Sequence, residues 1–233
     1  MTIWSQYPEV LSSPKRTPAK SSRLPRKRPG PEGGTRDRNR RENRDRLGEA
    51  ALALFLFEGT ASVTIEQIAE RAGMAKGSFY RYARDKSDLI GQILAPVIAD
   101  TTAALDRCEQ ALRHARGTPV AAIYLELART LSQMVMQHAP RVLLYLQEAR
   151  APMAASAIQE LADQMTARAI TLTEIARDHH LIRTVDPEVS ALVVLGAIDA
   201  LLFAHLRRRR APSAQIGQIT AELVDIVLRG IRG

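Results

Sequence analysis

Cysteine is almost missing from this chain. The single thiol among 233 residues, Cys108, excludes an intramolecular disulfide and any zinc site built from clustered cysteines. It reads as a small helix residue and suits a reducing cytoplasm. The opening stretch MTIWSQYPEVLSSPKRTPAK lacks the apolar run of a secretory signal, because Glu9, Lys15 and prolines interrupt it. No alternating apolar run suggests a strand, and no internal repeat is visible. Also absent are G-x-S-x-G, a P-loop, H-E-x-x-H and the Rossmann glycines, so the chain reads as no enzyme, with no metal, catalytic or cofactor residues. Rings are scarce as well, with one Trp, five Tyr and four Phe. Three of these ten, Phe79, Tyr80 and Tyr82, stand together in GMAKGSFYRYARDK, interleaved with Lys76, Arg81, Arg84 and Lys86.

The chain does have an uneven charge. Residues 1–46 hold 13 lysines and arginines against 5 acids, which accounts for the whole net charge of +8, while the remainder balances at 20 and 20. Residues 1–37 are basic and rich in proline and glycine, without apolar periodicity, and are expected to be a disordered arm. Such an arm matches a polyanion partner, most simply nucleic acid, or serves only solubility. The whole chain is 45% apolar and long enough for a sizeable core.

From about residue 38 the pattern is helical to the end, so the fold class is all-α, with about nine helices. Leu47, Ala50, Ala51, Leu54 and Phe55 form one apolar stripe on the first helix, which Gly59 ends. Thr118-Pro119 and Asp186-Pro187 each place a capping side chain before a proline at the first helical position. Pro140, Pro152 and Pro212 mark further starts or breaks, and Pro96 is expected to kink its helix rather than end it, a break there being the alternative. Residues 189–206, VSALVVLGAIDALLFAHL, nearly span a bilayer in length, but Asp199 and His205 oppose insertion. They read instead as a soluble helix buried on several sides, with Gly196, Ala197 and Ala200 allowing close approach of a second subunit. The run from Arg207 to Arg210 is a solvated helix end.

Residues 64–83, TIEQIAERAGMAKGSFYRYA, carry the grammar of a helix-turn-helix. Thr64 with Gln67 forms a capping box, and Val63 with Ile68 its hydrophobic staple. Ile68, Ala69 and Ala72 face inward, and Gly73 supplies a positive-φ turn. Phe79 anchors the second helix, and Asp85 with Asp88 caps the helix that follows. The second helix of such a unit enters the major groove, its first residues nearest the bases. Lys76 and Arg81 can donate to guanine or phosphate, Gly77 permits close approach, and Tyr80, Tyr82 and Lys86 can hold the backbone.

AALALFLFEG and VTIEQIAERAGMAKGSFYRYARDKSDLI resemble the first helix and helix-turn-helix of the TetR family of bacterial transcriptional regulators, over roughly residues 40–95. Beyond this, DPEVSALVVLGAIDALL agrees with the family's layout. The resemblance implies a helix-turn-helix DNA-binding domain at 38–84 and a helical effector-binding and dimerisation domain at 85–233. It implies base or groove contacts from Lys76, Gly77 and Arg81, and phosphate contacts from Thr64, Ser78, Tyr80, Tyr82 and Lys86, with Arg44 adding to them. One letter departs from the family pattern: Ala83 stands where a Phe usually packs the recognition helix against its neighbour.

The resemblance further implies a cytoplasmic homodimer through helices 187–207 and 213–230, acting as an effector-responsive repressor on a palindromic operator in double-stranded DNA. Leu192, Gly196 and Ala200 belong to this interface, as do Ile216, Ile219, Leu223 and Ile226, which also repeat near the spacing of a helix-pair seam. No membrane partner is expected. A small-molecule effector would sit among the middle helices, where Tyr124, His138, Tyr145 and Arg150 are polar candidates and Met134 and Met136 adaptable lining. The competing readings are an activator, an effector-free regulator and an architectural protein that coats DNA without sequence preference.

Overall fold

A computed structural model describes residues 34–115, 119–151, 156–180, 186–207 and 222. Among these the regular structure is entirely helical. Eight helices follow in order: α1 Thr35–Glu58, α2 Ile65–Arg71, α3 Lys76–Phe79, α4 Lys86–Arg113, α5 Val120–Gln137, α6 Ala139–Glu148, α7 Ser156–Asp178 and α8 Pro187–Arg207. The expected basic arm lies outside the described residues up to 33, as does the helix expected at 213–230 except Glu222. The chain divides into two compact units between Leu89 and Ile90, inside α4.

The first unit is built by local chemistry. α1 starts at Thr35, three residues before its expected start, and Gly59 ends it at φ 82°, its amide bonded to the Phe55 carbonyl at 3.0 Å. Leu47, Ala51 and Phe55 are fully buried as their spacing requires, but Leu52 and Ala53 are buried too while Leu54 is only half-buried. The inward face is therefore wider than the stripe read from periodicity. α2 packs on both α1 and α3. Its short length is compensated by the capping box: Gln67 N donates to Thr64 Oγ1 at 3.2 Å, and Thr64 N to Gln67 Oε1 at 2.7 Å. Gly73 then turns the chain at φ 68°. Phe79, Ile68 and Val63 close the core, each at most 1% exposed.

The second unit is a bundle. Leu105, Cys108 and Leu112 of α4 meet Val120 and Ile123 of α5 and Leu172, Ile175 and Ala176 of α7 in one cluster. Burial first, then the Glu109 charge, pushes the Cys108 thiol up to about 11, so it is a packed thiol and not a nucleophile. α8 packs on α7 and α6. α4 runs through Pro96 unbroken, and α6 carries Pro140 in its first turn. Asp186 caps α8 as its spacing predicts, accepting from Val189 N at 2.8 Å. Pro119, by contrast, is the cap residue of α5 and not its first helical residue. His179 and His180 lie in a turn past the end of α7, His180 at φ 56°.

α8 is covered on one side only. Ala191 and Leu206 are its buried residues, whereas Val189, Leu192 and Val193 are more than half exposed and Gly196 and Ala200 are exposed beside them. Positions 189, 192, 193, 196 and 200 share one helical face. The expected burial on several sides is therefore not met within a single chain.

Candidate functional site

Two places collect the residues singled out by the sequence. The first is the α2–α3 region. α3 is a single α-helical turn, and the chain then tightens: Arg81 N bonds Ser78 O at 3.2 Å and Tyr82 N bonds Phe79 O at 2.8 Å, both three residues back. Ala83 N returns to the four-residue pattern with Phe79 O at 3.1 Å. Ala75, Lys76, Gly77, Tyr80, Arg81 and Arg84 are exposed, Ser78 and Tyr82 half-buried, and Phe79 and Ala83 buried. The three rings thus separate. Phe79 is core, with the Tyr80 ring edge-on at 5.4 Å, and Arg81 lies 6.0 Å over the Tyr82 ring.

The exposed cations differ in their commitments. Lys76 pairs with Glu66 of α2, which holds the Glu66 carboxyl below its ordinary range and the Lys76 ammonium above its own, through their hydrogen bond first. Lys86 donates to the carbonyls of Thr60 at 2.6 Å and Val63 at 2.9 Å, tying the start of α4 to the loop before α2. Asp85 Oδ1 accepts from Asp88 N and Asp88 Oδ2 from Arg84 N, both at 2.8 Å, so this helix start is capped from both directions. Arg44 is exposed on α1. Gly77 is informative in another way, because a Cβ there would meet nothing within 4 Å. Among the described residues no close packing requires its missing side chain.

One residue of this region was not anticipated. Arg46 of α1 donates from Nη2 to the Ala72 carbonyl at 2.6 Å, satisfying the C-terminal end of α2. A Cβ on Gly73 would stand 2.9 Å from the same nitrogen. Gly73 therefore serves both the turn and the passage of Arg46.

The second place is a cavity of about 520 Å³ inside the bundle, walled by α4 to α8. Tyr124, Met134, Tyr145 and Arg150 line it as the sequence reading expected. His138 and Met136 are not among its lining residues. The His138 ring instead places Nε2 at 2.9 Å from Asp100 Oδ2. Asp199, which the sequence offered only as an argument against a membrane span, also lines the cavity and pairs with Arg150. Burial pushes the Tyr124 and Tyr145 phenols upward, so both are neutral hydroxyls at physiological pH.

A capped helix, a glycine turn and a second helix with an exposed cationic edge together define a helix-turn-helix domain of the kind that docks on duplex DNA. Residues 47–93 match the family described as "Bacterial regulatory proteins, tetR family". This segment is similar to the DNA-binding segment of that family. An HTH-type transcriptional regulator of Staphylococcus aureus strain USA300 is 43% identical over 49 residues, covering 21% of this chain. The chain spans about a quarter of the length of the curated relatives it matches, 26% in this case. In fold, the fatty acid degradation regulator FadR from Bacillus halodurans is similar with a TM-score of 0.66 at 15% identity, over 82% of this chain and 96% of that one. NalD, the secondary repressor of the MexAB-OprM multidrug efflux pump in Pseudomonas aeruginosa, gives 0.65 at 18% identity, over 84% and 98%.

Proposed function

We propose that the protein is a sequence-specific DNA-binding transcriptional regulator of the cytoplasm, an effector-responsive repressor that acts as a homodimer on a palindromic operator. The observation that carries this reading is the edge of α3: Gly77, with open space where a side chain would be, beside exposed Lys76 and Arg81. A groove floor explains the bare glycine, and guanine edges explain the cations. Thr64, Ser78, Tyr80, Tyr82 and Lys86, with Arg44, flank that edge in sequence as phosphate contacts. Lys86 keeps the site's geometry as well, through its two carbonyl bonds.

The exposed apolar face of α8, with Leu192, Gly196 and Ala200, supports a dimer with a second copy. Ile216, Ile219, Leu223 and Ile226, outside the described residues, are proposed to extend it. Two recognition helices in such a dimer must stand one DNA turn apart, about 34–36 Å. The bundle cavity is the proposed effector site, with Tyr124, Met134, Tyr145 and Arg150 in its wall.

Selection of bound duplexes from random DNA tests the reading. Enrichment of an inverted repeat is the expected result. Uniform, salt-dependent binding with no enriched motif would instead favour an architectural protein.

A further inference from the structure

The polar side chains around the bundle cavity are mostly spent on their own helices. Ser132 Oγ donates to the Ala128 carbonyl at 2.7 Å, Thr166 Oγ1 to Ala162 at 3.0 Å and Thr173 Oγ1 to Ala169 at 2.9 Å. His205 Nδ1 lies 2.7 Å from the Leu201 carbonyl, which makes that nitrogen the donor. The remaining wall is dominated by aliphatic groups such as Val97, Leu105, Leu131 and Met165.

The two formal charges of the lining, Arg150 and Asp199, neutralise each other. Arg150 is also held by the Leu146 carbonyl at 2.6 Å and by the Phe203 ring, 4.0 Å from its guanidinium carbon. A ligand anion would have to draw Arg150 away from three partners. A ligand cation would have to draw Asp199 away from Arg150. Either exchange would leave one member of this partly exposed pair without its counterion beside a mostly apolar wall. Among the described residues the Tyr145 hydroxyl makes no hydrogen bond, although it lines the same cavity and lies in the field of both Arg150 and Asp199.

We propose that the cavity takes an uncharged, mainly apolar molecule with one hydrogen-bonding end, and that Tyr145 is the residue that reads that end. The proposal rests on the reading of the cavity as the effector site. A volume of about 520 Å³ lies within the range of small-molecule sites.

Three probes with one chain length separate the alternatives: decanamide, decanoate and decylamine, titrated calorimetrically into the full chain near neutral pH. The amide is expected to bind about tenfold more tightly than either ion. Tyr145→Phe, checked for folding by circular dichroism, should weaken the amide about fivefold, the loss of one neutral hydrogen bond. Tightest binding by decanoate or decylamine overturns the uncharged class but leaves the cavity as an effector site. Binding of none of the three overturns both. Amide binding indifferent to Tyr145→Phe overturns the role of that hydroxyl. Selection of DNA by the ligand-free protein is independent of all these outcomes and tests the regulator reading separately.

Discussion

The two units of this protein are both helical, yet they use their polar side chains in opposite ways. In the first, polar groups reach other segments, as Arg46 closes α2 and Lys86 ties the Thr60–Val63 loop to α4, while Thr64 and Gln67 cap each other locally. In the second, Ser132, Thr166, Thr171 and Thr173 turn their hydroxyls back on their own helix, toward the carbonyl four residues earlier. Its links between helices include a long hydrogen bond from the Tyr124 hydroxyl to the Leu172 carbonyl, 3.4 Å, and partly exposed ion pairs such as Arg168–Asp106, a kind of pair that contributes little to stability. The first unit therefore has its shape fixed by directional bonds, as a surface that must match a fixed partner requires. The second leaves its shape to apolar packing, and it keeps a cavity.

The largest test of this contrast is in the cores. Phe79 is fully buried in the first unit, and Phe79→Ala should cost about 3–5 kcal/mol in urea denaturation. Leu131 already borders empty space, so Leu131→Ala should cost less than about 2 kcal/mol. Equal costs would mean that the bundle is packed as tightly as the first unit.

Function should divide along the same line. Lys76→Ala and Arg81→Ala are each expected to lose about 1–3 kcal/mol of affinity for the selected operator in gel-shift titration, with relaxed sequence preference. Calorimetric binding of a ligand to the bundle should not change. Full operator preference in both variants would remove the assignment of readout to α3.

The difference also explains what could be read from the sequence. The caps at Thr64, Asp85 and Asp186, and the stops at Gly59 and Gly73, were legible because each involves partners within a few positions. The contacts of Arg46 with Ala72, of Lys86 with Thr60, and of Arg150 with Asp199 span 26, 26 and 49 positions, and no local spacing marks them. Periodicity found Leu47, Ala51 and Phe55 but not Leu52, because α1 is buried across a face wider than one stripe. Tyr124 and Tyr145 were recognisable as polar letters among apolar ones, whereas His138 has the same signature and faces Asp100 instead.

Ala83 sharpens the comparison further. It is 3% exposed, so the position is part of the core even without the ring that the family pattern carries there. If neighbouring side chains have closed around the methyl, Ala83→Phe overpacks the unit and costs about 1–3 kcal/mol. A stabilising Ala83→Phe would instead reveal unused space in the first unit.

The smallest effects come from two threonines, one in each unit. Thr64 accepts the Gln67 amide at the start of a seven-residue helix that has no length to spare. Thr64→Ala should therefore cost about 1 kcal/mol and speed hydrogen exchange at the first amides of α2. Thr166 shares the Ala162 carbonyl with the backbone bond of its own helix, so Thr166→Val removes a second donor from an acceptor that remains satisfied, and should fall within about 0.5 kcal/mol. A cost for Thr166→Val as large as that for Thr64→Ala would show that the bundle's threonine hydroxyls also hold tertiary structure, and the contrast between the units would fail at its most local level.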